Sequence, residues 1–142
     1  MANWYGTSRS NYFRVKDDCD FRVWADAVGL ELLEDDGDGL FAIAPPEAND
    51  GYWPSSMDVY DEDGDVADEV LIDIVDELPN FLAEGQVAIL MTAGAEKLRY
   101  VTGHATAVTW DGRVTYVNLN DIYQKAADEF GLDINSITAA EY

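Results

Sequence analysis

The chain has 142 residues, of which 29 are acidic and 8 basic, giving a net charge of −21. Its 48% hydrophobic and 12% aromatic residues are enough for a core, which excludes a disordered chain, and its charge disfavours direct binding to nucleic acid or anionic membranes. No apolar run reaches the roughly 18 residues that span a bilayer, no signal peptide is evident, and the lone Cys19 excludes an internal disulfide framework, so we expect one cytoplasmic domain.

The N-terminal part predicts a strand, a helix and a hairpin. Residues 10–16 (SNYFRVK) alternate apolar and polar side chains, as a strand does. Asp17 is the predicted N-cap and Gly29 the predicted stop of a helix with an apolar stripe at i, i+3, i+4 and i+7, formed by Phe21, Trp24, Ala25 and Val28. Residues 30–34 and 40–44 then predict two strands joined by an Asp-Gly turn.

The middle of the chain predicts a long loop and a helix. Residues 47–64 show no periodicity, and loops of that length are commonly functional or mobile. Residues 65–78 (DVADEVLIDIVDEL) predict a helix, because four apolar residues stand at i, i+4 spacing: Val66, Val70, Ile74 and Leu78. The other face of this helix would carry Asp65, Glu69, Asp73, Asp76 and Glu77, and Pro79 would end it.

The C-terminal part predicts three strands and a helix. Residues 86–92 are almost all apolar, as in a central strand covered on both faces, and residues 97–109 and 113–119 flank an Asp-Gly turn. Asn120 should cap a helix over 121–130 with a buried side of Ile122, Tyr123, Ala126, Ala127 and Phe130. This order predicts an α+β domain over residues 1–142, with a mostly antiparallel sheet of five to six strands and about three helices on one face.

Two acidic runs resemble calcium loops but lack the residue that closes the coordination shell. The run from Glu34 has acids at positions 1, 3 and 5 and glycine at 6, but Pro45 stands at position 12, where a bidentate Glu is needed. The run from Asp61 has Val66 at position 6 and Ile72 at position 12. We expect no dedicated metal site.

The sequence also offers little to an enzyme. His104 is the only histidine, so a multi-histidine metal centre cannot be built. Cys19 lies among Asp17, Asp18 and Asp20, whose charges disfavour its thiolate. Phosphate-binding glycine loops and nucleophile elbows are missing from the sequence. We expect no catalytic residues and no cofactor.

The acidic residues are concentrated in one part of the chain. Residues 17–77 hold 21 acidic residues and one basic residue, and residues 58–70 (DVYDEDGDVADEV) hold seven acidic residues and no basic one. Carboxylates about 6.6 Å apart on a strand, or about 5–6 Å apart on a helix, can imitate a row of phosphates. We predict an acidic partner-binding surface formed by Glu34, Asp35, Asp36, Asp38, Asp58, Asp61, Glu62, Asp63, Asp65, Glu69, Asp73, Asp76 and Glu77.

Three segments of the chain resemble a group of proteins from mobile elements: NWYGTSRSNYFRVKD (3–17), EKLRYVTGHATAV (96–108) and LNDIY (119–123). They are similar to small proteins encoded on bacterial plasmids and phages. By analogy with the acidic anti-restriction and anti-CRISPR inhibitors of such elements, the resemblance implies a DNA mimic that occupies the nucleic-acid-binding surface of a host defence nuclease. No site residue can be carried over from it.

Two questions stay open at this stage. A chain with 19 Asp and 3 Lys also resembles a salt-adapted or generally acidic domain whose interaction surface lies elsewhere, although charge segregation favours a dedicated patch. Tyr52 and Trp53 either anchor a partner or pack on the core. The expected partner is a basic nucleic-acid-binding protein or nucleoprotein complex, and Arg9 and Arg14 should face away from the acidic helix.

Overall fold

A computed structural model describes residues 4–35, 38–96 and 100–140. Within these ranges the chain forms eight strands and three α-helices. The strands are β1 (Trp4–Ser10), β2 (Glu31–Asp35), β3 (Leu40–Ala44), β4 (Ser56–Tyr60), β5 (Val66–Leu71), β6 (Val87–Glu96), β7 (Tyr100–Thr109) and β8 (Val114–Asn118). The helices are α1 (Asp18–Val28), α2 (Ile74–Glu77) and α3 (Asp121–Phe130).

The largest sheet is antiparallel and has the strand order β1-β6-β7-β8. Strands β2 and β3 form a separate hairpin, and so do β4 and β5. The α+β class is therefore confirmed, but the predicted sheet of five to six strands is wrong. The β2–β3 hairpin, which we assigned to the same sheet, pairs internally, as does the unpredicted β4–β5 hairpin, and in the described part of the chain the strands of neither extend the large sheet.

The four-stranded sheet buries most of one face and leaves the other open. The register places the even-numbered residues of its strands on one side, the inner face, which is buried at Ala88, Leu90 and Val108 but exposed along the edge strand β8, where Tyr116 is 58% exposed. The odd-numbered residues form the opposite face, which we call the outer face; Met91 and Val117 there are 57% and 55% exposed. The prediction that the central strand is covered on both faces is therefore wrong.

Helix α1, the β2–β3 hairpin and α2 cover the inner face. Phe21 of α1 is fully buried and its ring lies 5.7 Å from that of Phe13 and 5.5 Å from that of Phe41. Ile74 and Leu78 add the α2 side of the same core. Burying these apolar side chains supplies most of the favourable free energy of the fold.

The sequence predicts α1 and α3 well. The Asp17 carboxylate accepts a hydrogen bond from the Asp20 N–H at 2.9 Å, and Gly29 ends α1 in the left-handed region with a φ of 82°. Helix α3 has the predicted bounds, but the Asn120 side chain makes no capping hydrogen bond. Of its predicted buried side only Ala127 is buried, while Ile122 and Phe130 are 57% and 71% exposed.

Three local predictions are wrong. Residues 65–78 do not form a helix: Val66–Leu71 is strand β5, and only Ile74–Glu77 is α-helical. The predicted strand at 10–16 is displaced, because β1 ends at Ser10 and the following residues make only isolated bridges. The 47–64 segment is not a structureless loop, since it contains a 3₁₀ turn and strand β4.

Among the described residues no helix has both the length and the apolar character needed to cross a membrane.

Candidate acidic interaction surface

Strands β4 and β5 and their turn form an exposed ribbon, residues 56–71, which we call the acidic hairpin. Every residue from 58 to 71 is exposed. Met57 is partly buried and packs against the core, so the face of the ribbon that carries its side chain points inward. Successive side chains along a strand point to opposite faces, so the residues next to Met57 in the alternation lie on the face that points to solvent.

The outward face of the acidic hairpin places two carboxylates side by side. Asp58 stands directly opposite Glu69 in the antiparallel register, where Cβ atoms are about 4.5–5.5 Å apart. Tyr60 and Leu71 share this face and are 62% and 83% exposed. Like charges directly opposite each other destabilise a strand pair. This pair therefore lowers the stability of the hairpin while it concentrates negative charge.

The turn of the hairpin holds four more acidic residues, and one of them organises it. The Asp61 carboxylate accepts hydrogen bonds from the N–H groups of Asp63 at 2.9 Å and Asp65 at 3.0 Å. The side chains of Glu62, Asp63 and Asp65 are left exposed. The carboxylate of Asp61 is therefore structural, whereas the other three are free to contact a partner.

In the part of the chain that the structure describes, no ion pair neutralises the acidic hairpin. The described ion pairs join Arg22 to Glu34, Arg113 to Asp111, and Lys125 to Glu129. None of these lies within residues 56–71. Within the described ranges, only solvent and its counterions are left to balance the negative charge of the hairpin.

The residues predicted beyond the hairpin have other structural roles. Asp73 is the N-cap of α2, since its carboxylate accepts hydrogen bonds from the N–H groups of Val75 at 3.1 Å and Asp76 at 3.3 Å. Asp76 is exposed, but Glu77 is half-buried and its Oε2 atom is buried without a hydrogen-bond partner. The predicted acidic line along one helix face does not exist.

Two arginines contact the described part of the 34–38 turn, while the side chain of Asp38 is exposed. Glu34 is paired with Arg22, and the Asp38 carbonyl accepts a hydrogen bond from the Arg14 guanidinium at 2.7 Å. Asp36 and the side chain of Asp35 lie outside the described residues. Arg14 therefore sits at the acidic turn, while Arg9 lies on the outer face of the large sheet.

Tyr52 and Trp53, the two residues considered as aromatic anchors, have different environments in the structure. Trp53 is half-buried and packs against the core, which is the second of the two roles left open for it. Tyr52 is 57% exposed. The loop that carries both residues is held against β1, because the Ser8 hydroxyl donates a hydrogen bond to the Gly51 carbonyl.

Sequence reasoning missed Asp68 as part of the surface. In a helix it would lie off the predicted acidic line, but in β5 it is exposed and stands opposite Val59. Its strand neighbour Glu69 points to the other face. If residues 66–71 had been predicted as a strand, the alternation of its side chains would have placed Asp68 on one face of the ribbon and Glu69 on the other.

Among the other ionisable groups in the described ranges, His104 and Asp111 have described side-chain contacts. No group of three or more His, Cys, Asp or Glu side chains there could hold a metal ion. His104 is exposed and its ring lies 6.0 Å from that of Tyr116. The Thr109 hydroxyl and then the Arg113 guanidinium hold the pKa of Asp111 below its ordinary value, since both donate hydrogen bonds to its carboxylate.

No protein-family model matches the chain. No curated protein and no solved structure matches it either.

Proposed function

We propose that this protein is a non-catalytic, cytoplasmic inhibitor that mimics nucleic-acid phosphates and occupies the basic nucleic-acid-binding surface of a partner protein. The acidic hairpin supplies the contact surface, in place of the helix expected from the sequence. The mechanism is competition for a cationic groove, with no covalent chemistry. A host defence nuclease is the class of partner that the resemblance to mobile-element proteins implies.

The observation that carries this proposal is the full exposure of residues 58–71, which include seven acidic residues and no basic one. A two-stranded ribbon is about 5 Å wide between strands and brings alternate residues of a strand to one face every 6.6 Å or so. A partner that reads mainly charge would meet carboxylates at spacings comparable to those of backbone phosphates.

The outward face of the hairpin offers more than charge. Tyr60 and Leu71 lie beside Asp58 and Glu69 on the same face. Aromatic side chains are common at the centres of protein interfaces, where they bury apolar area at a low entropic cost. We therefore expect the partner groove to contain apolar side chains next to its Lys and Arg residues.

The decisive experiment compares two variants of equal charge. The hairpin variant carries Asp58→Asn, Glu62→Gln, Asp68→Asn and Glu69→Gln, which leaves the structural Asp61 in place. The control variant carries Asp26→Asn, Glu31→Gln, Glu47→Gln and Glu84→Gln, all exposed positions outside the hairpin. Each is immobilised, exposed to a lysate of a bacterial host, and assayed for captured DNA-binding proteins with duplex DNA as competitor.

We expect the wild type and the control variant to capture the same basic protein and the hairpin variant to lose it. Capture should be displaced by DNA and should fall steeply between about 50 and 200 mM salt, as it does for DNA ligands. If both variants lose capture equally, the charge acts diffusely and the alternative of a generally acidic domain is favoured. If both retain it, the hairpin is not the interface.

A further inference from the structure

The outer face of the large sheet is a further surface that other described elements leave open. Its side chains are mostly small or apolar, and those of Met91, Val101 and Val117 are 57%, 54% and 55% exposed. Soluble monomers rarely expose a continuous apolar patch of several hundred Å². A four-stranded antiparallel sheet with helices on one side only commonly solvates its other side with polar residues. The outer face of this sheet has few such polar residues.

Charge is almost absent from this face. A quarter of the chain, 26%, is charged, yet Arg9 is the one charged residue at the odd-numbered positions of β1, β6, β7 and β8. No acidic residue stands at any of these positions. In a chain with a net charge of −21, this is the surface where a second copy can approach without bringing carboxylates into contact.

The acidic hairpin lies on the other side of the sheet. Its base packs into the core through Met57, which belongs to the same cluster as Leu90 and Val108 of the inner face. Two copies that meet through their outer faces would therefore direct their acidic hairpins away from each other. This separation keeps the main charge clusters apart and leaves both hairpins accessible.

The size of the face suits a small symmetric interface. Four strands about 4.8 Å apart and seven residues at about 3.4 Å each cover roughly 19 by 24 Å. This planar area of roughly 460 Å² is smaller than the roughly 800 Å² per partner of a standard interface, so we expect a weak dimer that forms in a concentration-dependent way. Leu119 extends the patch, since it lies over Gly103 with its Cδ1 atom 2.9 Å from where a methyl group on that glycine would be.

We propose that this protein forms a two-fold symmetric homodimer in which the outer faces of the two sheets pack against each other. Small residues such as Ala93 and Ala105 along the central strands allow the sheets to approach to about 10 Å, the spacing of a β-sandwich. A two-fold interface requires a surface that is complementary to itself, and a nearly neutral, flat apolar face meets this condition. This proposal is independent of what the acidic hairpin binds.

The test uses two valines on the same strand. Val117 lies on the outer face and Val114 on the inner side, and they are 55% and 54% exposed. Val117→Glu and Val114→Glu add the same charge at the same exposure, but only the first introduces it into the proposed interface. A second interface variant, Ala105→Glu, places the charge on the central strand β7, where Ala105 stands between Met91 and Val117. Circular dichroism verifies that each variant is folded.

Sedimentation equilibrium gives the mass at about 0.1 and 0.5 M NaCl, conditions that differ in how far charge is screened. We expect the wild type and Val114→Glu to rise from 15.7 kDa toward twice that mass with concentration, more strongly at the higher salt. Self-association of Val117→Glu and Ala105→Glu should weaken about tenfold or more, because neither residue has a charged residue opposite it in the strand register and the buried charge would lack a partner. A wild type that stays monomeric at both salts overturns the proposal, and so does a dimer unaffected by both interface variants.

Discussion

At the scale of a single residue, Gly51 shows how the segment 47–64, which was predicted to be a long loop, is held against the sheet. Its φ of 87° is in the left-handed region, and a methyl group on it would lie 2.6 Å from the carbonyl oxygen of Gly6 in β1. Two glycines therefore meet where the segment crosses the sheet, and the Ser8 hydroxyl bonds to the Gly51 carbonyl beside them. This contact explains why residues that lack periodicity are nevertheless ordered against the sheet.

Replacing Gly51 by alanine should therefore destabilise the protein through two separate effects. Gly64→Ala is the matched control, because Gly64 has a similar φ of 82° but no atom within 4 Å of the added methyl group. We expect Gly64→Ala to lower the free energy of unfolding by about 1–2 kcal/mol from backbone strain alone. Gly51→Ala should lower it by at least about 1 kcal/mol more, because the clash with backbone cannot relax through a side chain.

Urea unfolding of both variants measures the difference. Equal losses for Gly51→Ala and Gly64→Ala would show that the segment moves off β1 without cost, which contradicts the close contact described above.

At the scale of elements, the segment 65–78 shows why its acidic run could be found from the sequence while its conformation could not. Val66 and Val70 are four residues apart, a spacing that places side chains together on a helix but also on one face of a strand, since four is a multiple of two. The β-branched valines favour the strand. The turn at Asp61 brings β5 back along β4, and this pairing makes the segment a strand and not a helix. The sequence did not indicate this pairing, because β4 lies in the segment that was predicted to be a loop.

The elements that the sequence did predict have local signals at both ends. Helix α1 has a capping Asp17 and a terminal Gly29, and the turn between β7 and β8 contains an Asp-Gly pair. The strand pairing of the large sheet brings together β1 and β6, which are far apart in the chain, and no local pattern encodes it. The exposed apolar side of α3 was missed because amphipathicity shows which residues could be buried but does not supply a surface to bury them.

Asp61 should control the order of the acidic hairpin. Asp61→Ala removes the acceptor for two turn N–H groups, whereas Glu62→Ala changes the neighbouring residue, for which the structure describes no hydrogen bond. We expect amide hydrogen exchange at Asp63 and Asp65 to accelerate several-fold in Asp61→Ala, since an exposed hydrogen bond contributes about 0.5–1.5 kcal/mol. Exchange should stay unchanged in Glu62→Ala, and equal acceleration in both variants would assign the order of the turn to strand pairing instead.

At the scale of the whole molecule, charge segregation along the chain becomes charge segregation in space. Residues 17–77, with a net charge of −20, form α1, the two hairpins and α2, while the large sheet comes from the segments before and after them. Helix α1, the β2–β3 hairpin and α2 pack on the inner face of that sheet. The molecule therefore has one strongly acidic side and one nearly neutral, apolar side, and the two proposals made above assign a partner to each.

Such a one-sided charge distribution should lower stability in a way that salt reverses. Asp58 and Glu69 stand opposite each other without a basic neighbour in the described chain, so neutralising both with Asp58→Asn and Glu69→Gln should raise the free energy of unfolding by about 0.5–1 kcal/mol at low salt. The control, Asp26→Asn with Glu84→Gln, removes two exposed charges that do not face each other and should have a smaller effect.

At about 0.5 M NaCl the gain in the free energy of unfolding should largely vanish, because the Debye length falls to a few ångströms. Urea unfolding at the two salt concentrations separates these outcomes: a gain that survives high salt would come from packing or strand propensity, and the acidic pair would then not be a source of electrostatic strain.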